Sequence, residues 1–211
     1  MTNKKIGILF LLFSISSLYS QYGSVEVSSG GFSFIPAFMD TKPNVILRAG
    51  TGTEKRVSAH LIGNIRMSTF NPRSIIFITR MKLIDKKFKL AIGGHLPAFQ
   101  IDENLDMLTY FAQEVSASYP LNDRVGFSTL YTHGKGRNSD LEINLVTLNT
   151  TITKNKFRFL SQVYFLDLDS TFGLAETVTF RLTPKIYING FANYTLSNQN
   201  LISTLGLQFL L

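Results

Sequence analysis

Ile186-Tyr187-Ile188-Asn189-Gly190-Phe191-Ala192-Asn193-Tyr194-Thr195-Leu196 is followed, after a short polar turn, by Leu201-Ile202-Ser203-Thr204-Leu205-Gly206-Leu207-Gln208-Phe209-Leu210-Leu211. In the first run Ile186, Ile188, Gly190, Ala192, Tyr194 and Leu196 share one face, and Tyr187, Asn189, Phe191, Asn193 and Thr195 share the other. In the second, Leu201, Leu205, Leu207, Phe209 and Leu211 form an apolar face interrupted by Ser203. Val178, Phe180 and Leu182 oppose Thr177, Thr179, Arg181 and Thr183 in the same way. A period of two is the mark of a β-strand with two different surroundings, because successive side chains leave opposite faces.

Working back from the C-terminus, the same alternation in runs of about ten residues predicts strands near 32–39, 44–51, 56–69, 74–84, 88–98, 107–119, 125–133, 141–153, 157–167, 173–182, 186–196 and 201–211. Turns at Gly52-Thr53-Glu54, Asp85-Lys86-Lys87, Leu121-Asn122-Asp123, Lys154-Asn155-Lys156 and Thr183-Pro184-Lys185 fall at one end and are short. The other end takes Asp40 to Pro43, Asn71-Pro72-Arg73, Gln100 to Asp106, Gly134 to Asp140, Leu168 to Thr171 and Ser197 to Asn200. An even strand count, with both termini beside the short turns, is the layout of a bacterial transmembrane barrel. The expected fold is therefore all-β, an antiparallel up-and-down transmembrane β-barrel of about twelve strands. Ten is the runner-up, because the first segments are short and Pro36 interrupts Phe32 to Phe38.

Composition agrees with a partly lipid-covered surface. Hydrophobic residues make up 45% of the chain and charged residues only 17%, against roughly 25% charged in soluble domains. Lys4 and Lys5, the apolar Ile6 to Phe13, and Ser16-Ser17-Leu18-Tyr19-Ser20 before Gln21 read as a secretory signal peptide over residues 1–20. Residues 21–31, rich in Gly and Ser, are expected to be a flexible periplasmic lead, and 32–211 the barrel domain. There is no Cys, so disulfides, a lipidated cysteine and thiolate metal sites are excluded. Losing Lys4 and Lys5 takes the net charge from +7 to +5. The basic residues are scattered among strands and turns, which excludes a nucleic-acid patch.

A periplasmic sandwich or a soluble lipocalin-like barrel would share the period of two. What favours the membrane is an outer face carrying Phe77, Phe88, Phe111, Tyr119, Phe127, Tyr131, Phe157, Phe159, Phe165, Phe180 and Phe209. On these residues the chain resembles the small outer-membrane β-barrel proteins of Gram-negative bacteria, and its Phe- and Asn-rich strands resemble the Bacteroidetes versions. The resemblance implies the outer membrane as location. It also implies outer-membrane lipid, lipopolysaccharide and the barrel assembly machinery as partners. Members of that class end in an aromatic residue, whereas here Phe209 precedes a terminal Leu211.

With those faces on lipid, the lumen is expected to receive the basic residues Arg48, Arg66, Arg80, Lys82, Lys89, Arg158 and Arg181, with Glu114 and Glu142 as acidic partners. His60, Asn64, His95, Tyr110, Asn144, Gln162, Tyr187, Asn189, Asn193 and Gln208 are placed there too. A basic wall concentrates anions, and the arrangement is similar to the twelve-stranded channels for acidic sugars. This predicts a narrow channel for small anionic solutes. The competing reading is a closed lumen in which Arg48, Arg66, Arg80 and Lys82 pair with Glu114 and Glu142, in a structural or assembly component with envelope protein partners. Ile46, Ile62, Ile76 and Ile78 on the same face point to a partly blocked interior or an apolar ligand. An acyl-processing enzyme is the third class and is set aside. His133 near Ser139 and Asp140 is its one candidate grouping, and the serine that outer-membrane phospholipases place two residues after the histidine is here Lys135. His60, His95 and His133 lack metal-ligand spacing, and no cofactor is expected.

Overall fold

The computed structural model describes residues 21–211 except 32, 34, 40 and 103. The expected signal peptide, 1–20, lies outside the described residues. Twelve strands close into one antiparallel barrel, each paired with its neighbours in sequence and the last paired with the first. They are β1 (Gln21–Ser28), β2 (Asn44–Thr51), β3 (Val57–Arg66), β4 (Pro72–Asp85), β5 (Lys89–Ile101), β6 (Met107–Pro120), β7 (Val125–Gly136), β8 (Glu142–Lys154), β9 (Phe157–Leu166), β10 (Thr171–Arg181), β11 (Ile186–Thr195) and β12 (Asn200–Leu210). The runner-up count of ten is thereby excluded.

The expected flexible lead is corrected by β1. In Tyr22-Gly23-Ser24-Val25-Glu26-Val27-Ser28 the polar Ser24, Glu26 and Ser28 are buried and Val27 is exposed, so the run alternates as the later strands do. It pairs with β2 from Gln21↔Thr51 to Ser28↔Asn44, and with β12 from Ser24↔Leu210 to Ser28↔Gly206. Among the described residues the barrel thus starts with β1, and those of 32–39 form no strand. There the described residues hold a single 3-10 turn, Pro36–Phe38, with Pro36 in its first turn. Proline has no N–H to give a ladder and its φ suits a tight turn.

The connection between β1 and β2 is the longest in the barrel, and it folds inward. Ile35 and Ala37 pack against a buried cluster of Leu145, Tyr164, Leu166 and Ala175. The remaining connections at that distal end are shorter, and those at the end holding both termini are tight. Asn155, for example, takes φ 55° in the two-residue turn between β8 and β9, a left-handed position that asparagine tolerates.

The outer face is apolar. Phe77, Phe111, Tyr119, Phe127, Phe157, Phe165 and Phe209 all point away from the lumen, as expected from the alternation. One row departs from this. Thr150, Ser161, Glu176, Ala192 and Ser203 lie side by side across β8 to β12 through the pairs Thr150↔Ser161, Ser161↔Glu176, Glu176↔Ala192 and Ala192↔Ser203.

Candidate functional site: the barrel lumen

Halfway up the lumen, β4, β5 and β6 bring Arg80, His95 and Glu114 together. Arg80 and Glu114 face each other across Gly93, which is paired to both. A Cβ at residue 93 would stand 2.7 Å from the Thr79 carbonyl oxygen and 2.8 Å from Glu114 Oε1, so only glycine leaves room for the carboxylate. Glu114 is 2% exposed. It accepts hydrogen bonds from Arg80 Nε, from Arg80 Nη2 (3.1 Å) and from His95 Nε2 (2.8 Å). A buried carboxylate is tolerable only when its charge and lone pairs are met in this way.

A second ion pair crosses from β1 to β2, where Arg48 Nη1 donates to Glu26 Oε2 at 2.6 Å. Glu26 occupies the space that a side chain at Gly206 would fill. It was hidden from the sequence reading, which put residue 26 in a lead and gave Arg48 the wrong partners. Around these pairs runs a neutral network. Tyr22 Oη and His60 Nδ1 are 2.9 Å apart, Asn64 Nδ2 donates to Ser74 Oγ (2.6 Å), and Gln208 Nε2 donates to Ser24 Oγ (3.0 Å). Arg66 donates to the carbonyls of Pro72 (3.2 Å) and Ile101 (2.6 Å). Ile46, Ile62 and Ile78 form an apolar patch on the same wall, flanked by Ile76.

At the terminal end the lumen opens on a hollow of about 330 Å³ lined by Arg158, Arg181, Lys156, Tyr187 and Gln208. Both arginines share the inward parity of Tyr164 and Ala175, and neither is in an ion pair among the described residues. Lys82, across the mouth, is tied to Asp85 (2.9 Å) and to the Glu54 carbonyl (2.9 Å). Lys89 has the inward parity of Ala91 and Gly93.

Glu142 and Asn144 correct the expectation that they line the lumen. The inward residues of β8 are Leu145 and Thr147, 1% and 0% exposed, so even-numbered positions face out. Glu142 pairs instead with Lys135 at 3.8 Å on the outer surface. Asn144 is the hub of a rim cluster, its Oδ1 bonded to Tyr131 Oη (2.7 Å) and His133 Nδ1 (3.0 Å). Its backbone N–H and Nδ2 donate to the two oxygens of Asp167 at 2.7 and 2.6 Å. Those bonds, the backbone one foremost, hold the Asp167 carboxyl below its ordinary pKa. His133 Nε2 lies 4.0 Å from Glu142, and among the described residues neither ring nitrogen is hydrogen-bonded to a serine, threonine or cysteine. The histidine is built into a rim clamp.

No protein-family model matches the chain, and no curated protein matches its sequence. Solved structures do match in shape. A KdgM porin, also solved in complex with disordered oligogalacturonate, superposes with a TM-score of 0.64 at 7% identity, covering 90% of this chain and 98% of that one. A NanC porin gives 0.54 at 14% identity, covering 88% and 97%. At such identities the likeness establishes a porin-like barrel fold.

Proposed function

We propose that the protein is an outer-membrane channel for small anionic solutes. The observation that carries this is the charge of the inner wall. Among the described residues Arg48, Arg66, Arg80, Lys82, Lys89, Arg158 and Arg181 face inward, and the carboxylates that meet them, Glu26, Glu114 and Asp85, are already taken by Arg48, Arg80 and Lys82. The surplus is positive and is greatest at the terminal mouth, where Arg158 and Arg181 line an open hollow. Low-dielectric walls focus that field along the axis and raise the local anion concentration. The porins of similar shape, one of them holding an oligogalacturonate, support a passage through such a barrel. In this reading residues 1–20 direct export and the termini face the periplasm. The assembly machinery inserts the chain, and the longer distal loops meet lipopolysaccharide.

Two features favour the second reading, a closed lumen in an envelope complex with protein partners: the inward-folded Pro36–Phe38 turn and the mid-lumen ion pairs narrow the bore. Planar-bilayer recording in asymmetric KCl separates the two. The channel predicts discrete conductance with a reversal potential toward that of chloride, reduced in Arg158→Gln/Arg181→Gln. A heat-modifiable barrel with no conductance, or with potassium selectivity, would overturn it.

A further inference from the structure

At the terminal mouth two arginines stand side by side with no opposite charge to answer them. Arg158 is paired across the ladder with Thr179, and Arg181 is the next residue of inward parity on that strand. The two are therefore diagonal neighbours on one face, about 7–8 Å apart, a span that long side chains close. Neither makes a side-chain hydrogen bond or ion pair among the described residues. The row Arg181, Tyr187, Gln208, Glu26 ends on a carboxylate, but Arg48 already holds that group at 2.6 Å. The Arg181 backbone N–H donates to the Lys156 carbonyl (2.8 Å), which brings the β8–β9 turn and a third cation to the edge of the hollow of about 330 Å³. Among the described residues, no carboxylate and no histidine lines that hollow. Its neutral polar groups include hydroxyls. Thr153 and Thr179 flank Arg158 on the two adjacent strands, and the Tyr187 hydroxyl, which donates to the Pro184 carbonyl (3.3 Å), keeps its oxygen free to accept.

We propose that this hollow binds a phosphate monoester: a small hydroxylated solute whose dianionic phosphoryl group is held between Arg158 and Arg181. Like charges set side by side repel, and a ligand that brings two negative charges to one point relieves both. A carboxylate has one charge and one planar pair of oxygens, so it answers a single guanidinium fork and leaves the second unmet. A phosphate monoester has three terminal oxygens and, with a second pKa of about 6, close to two charges at neutral pH. Both forks then find acceptors. Hydroxyls on the body of the solute meet Thr153, Thr179 and Tyr187. The volume lies at the lower end of the range for small-molecule sites, about 300–1,000 Å³, the size of a single sugar phosphate.

The site deepens the channel reading by naming the anion, and rests on it only in so far as the bound solute is the one that passes. The test is calorimetric titration of glucose 6-phosphate and of glucuronate into the full-length barrel in lipid nanodiscs, with empty nanodiscs as reference. Saturable binding of the ester at one site is expected, with glucuronate at least about tenfold weaker. Arg158→Gln and Arg181→Gln should each weaken the ester at least about tenfold, the value of a charge-assisted hydrogen bond. Should either fail to give a heat-modifiable barrel, lysine at the same position keeps the charge, loses the planar fork and should weaken the ester several-fold. Going from about pH 7.5 to about pH 5 protonates the phosphoryl group and should cost the ester about tenfold, whereas glucuronate, ionised throughout, should not change. No binding by the wild type, equal affinity for ester and acid, or unaltered binding in the arginine variants would overturn the site. Chloride conductance measured on the same preparation keeps the questions apart. Conductance without binding removes the site and leaves the channel, whereas binding without conductance supports the site and removes the passage.

Discussion

Glu114→Gln tests the mid-lumen network most directly, because it keeps the shape of the side chain and removes its charge. The carboxylate is 1% exposed at its side chain and meets both Arg80 and His95. Removing one partner of a buried ion pair costs about 3–5 kcal/mol. Arg80 is 32% exposed at its side chain, so water takes up part of the loss and the lower figure, about 3 kcal/mol, applies. For a domain of this size each kcal/mol moves the midpoint by about 2–4 °C. The barrel-to-unfolded mobility shift on gels, read against temperature, should therefore fall by about 6–12 °C. The freed guanidinium also acts on passing ions. At about 6 Å and the dielectric of water a unit charge contributes about 0.7 kcal/mol, or roughly threefold in anion occupancy, most visible at low salt. Arg80→Met/Glu114→Leu should recover most of the thermal loss, since it leaves no unpaired charge. A midpoint unchanged in Glu114→Gln, together with an unchanged chloride-to-potassium ratio, would refute the account of the network.

Gly93→Ala should destabilise by about 1–3 kcal/mol, the usual penalty of overpacking, because its Cβ meets a backbone carbonyl at 2.7 Å that cannot swing away; the same gel assay reads it. Glu176→Leu, at the centre of β10 on the outer face, should stabilise the barrel by about 1–2 kcal/mol and raise the midpoint by about 2–8 °C, since a carboxylate facing lipid costs less than the roughly 2–4 kcal/mol of a basic residue but is still unfavourable. Asp167 has a depressed pKa in the folded state. Its bonds to Asn144 therefore stabilise the rim above the ordinary carboxylate value and are lost as pH falls through the lower folded value. The protection factor of the Asn144 amide, its exchange rate referred to the intrinsic rate at the same pH, should fall on acidification below about pH 4, and Asp167→Asn should remove that dependence. Serine at Ile35, Ala37 and Phe38 should loosen the inward loop and raise single-channel conductance several-fold.

The strands from β2 to β12 were legible within a few residues, because alternation and turn residues agree along most of the chain. Residues 21–39 were misread for a physical reason. Phe32, Phe34 and Phe38 carry the apolar signal of a strand, whereas Ser24, Glu26 and Ser28 look like a linker. What makes the latter a strand is pairing with residues 206–210, a long-range fact with no local mark. Where parity runs unbroken the side of the wall follows from counting, and Arg48, Arg80, Glu114, Arg158 and Arg181 have inward parity. Counting failed where polarity was taken for position. Leu145 and Tyr164 are inside, packed on the inward loop, so Glu142 and Asn144 must be outside. Arg73, read as part of a connection, belongs to β4, and irregular pairing there puts it beside the hollow lined by Ile35 and Phe38 of the inward loop.

The seam between the first and last strands has a consequence for how the molecule is made. Residues 24–28 meet residues 206–210, and beyond them Leu205 N–H donates to Ser29 Oγ across nearly the whole chain (2.9 Å). Without the β1–β12 pairing the sheet has two raw margins, each a row of unpaired amides and carbonyls ready to pair with any other extended chain. Closure thus joins two strands far apart in the sequence, fastened like a zip whose two halves are residues 24–28 and 206–210. A copy with a damaged β12 would be a strip with two adhesive borders and not a smaller barrel.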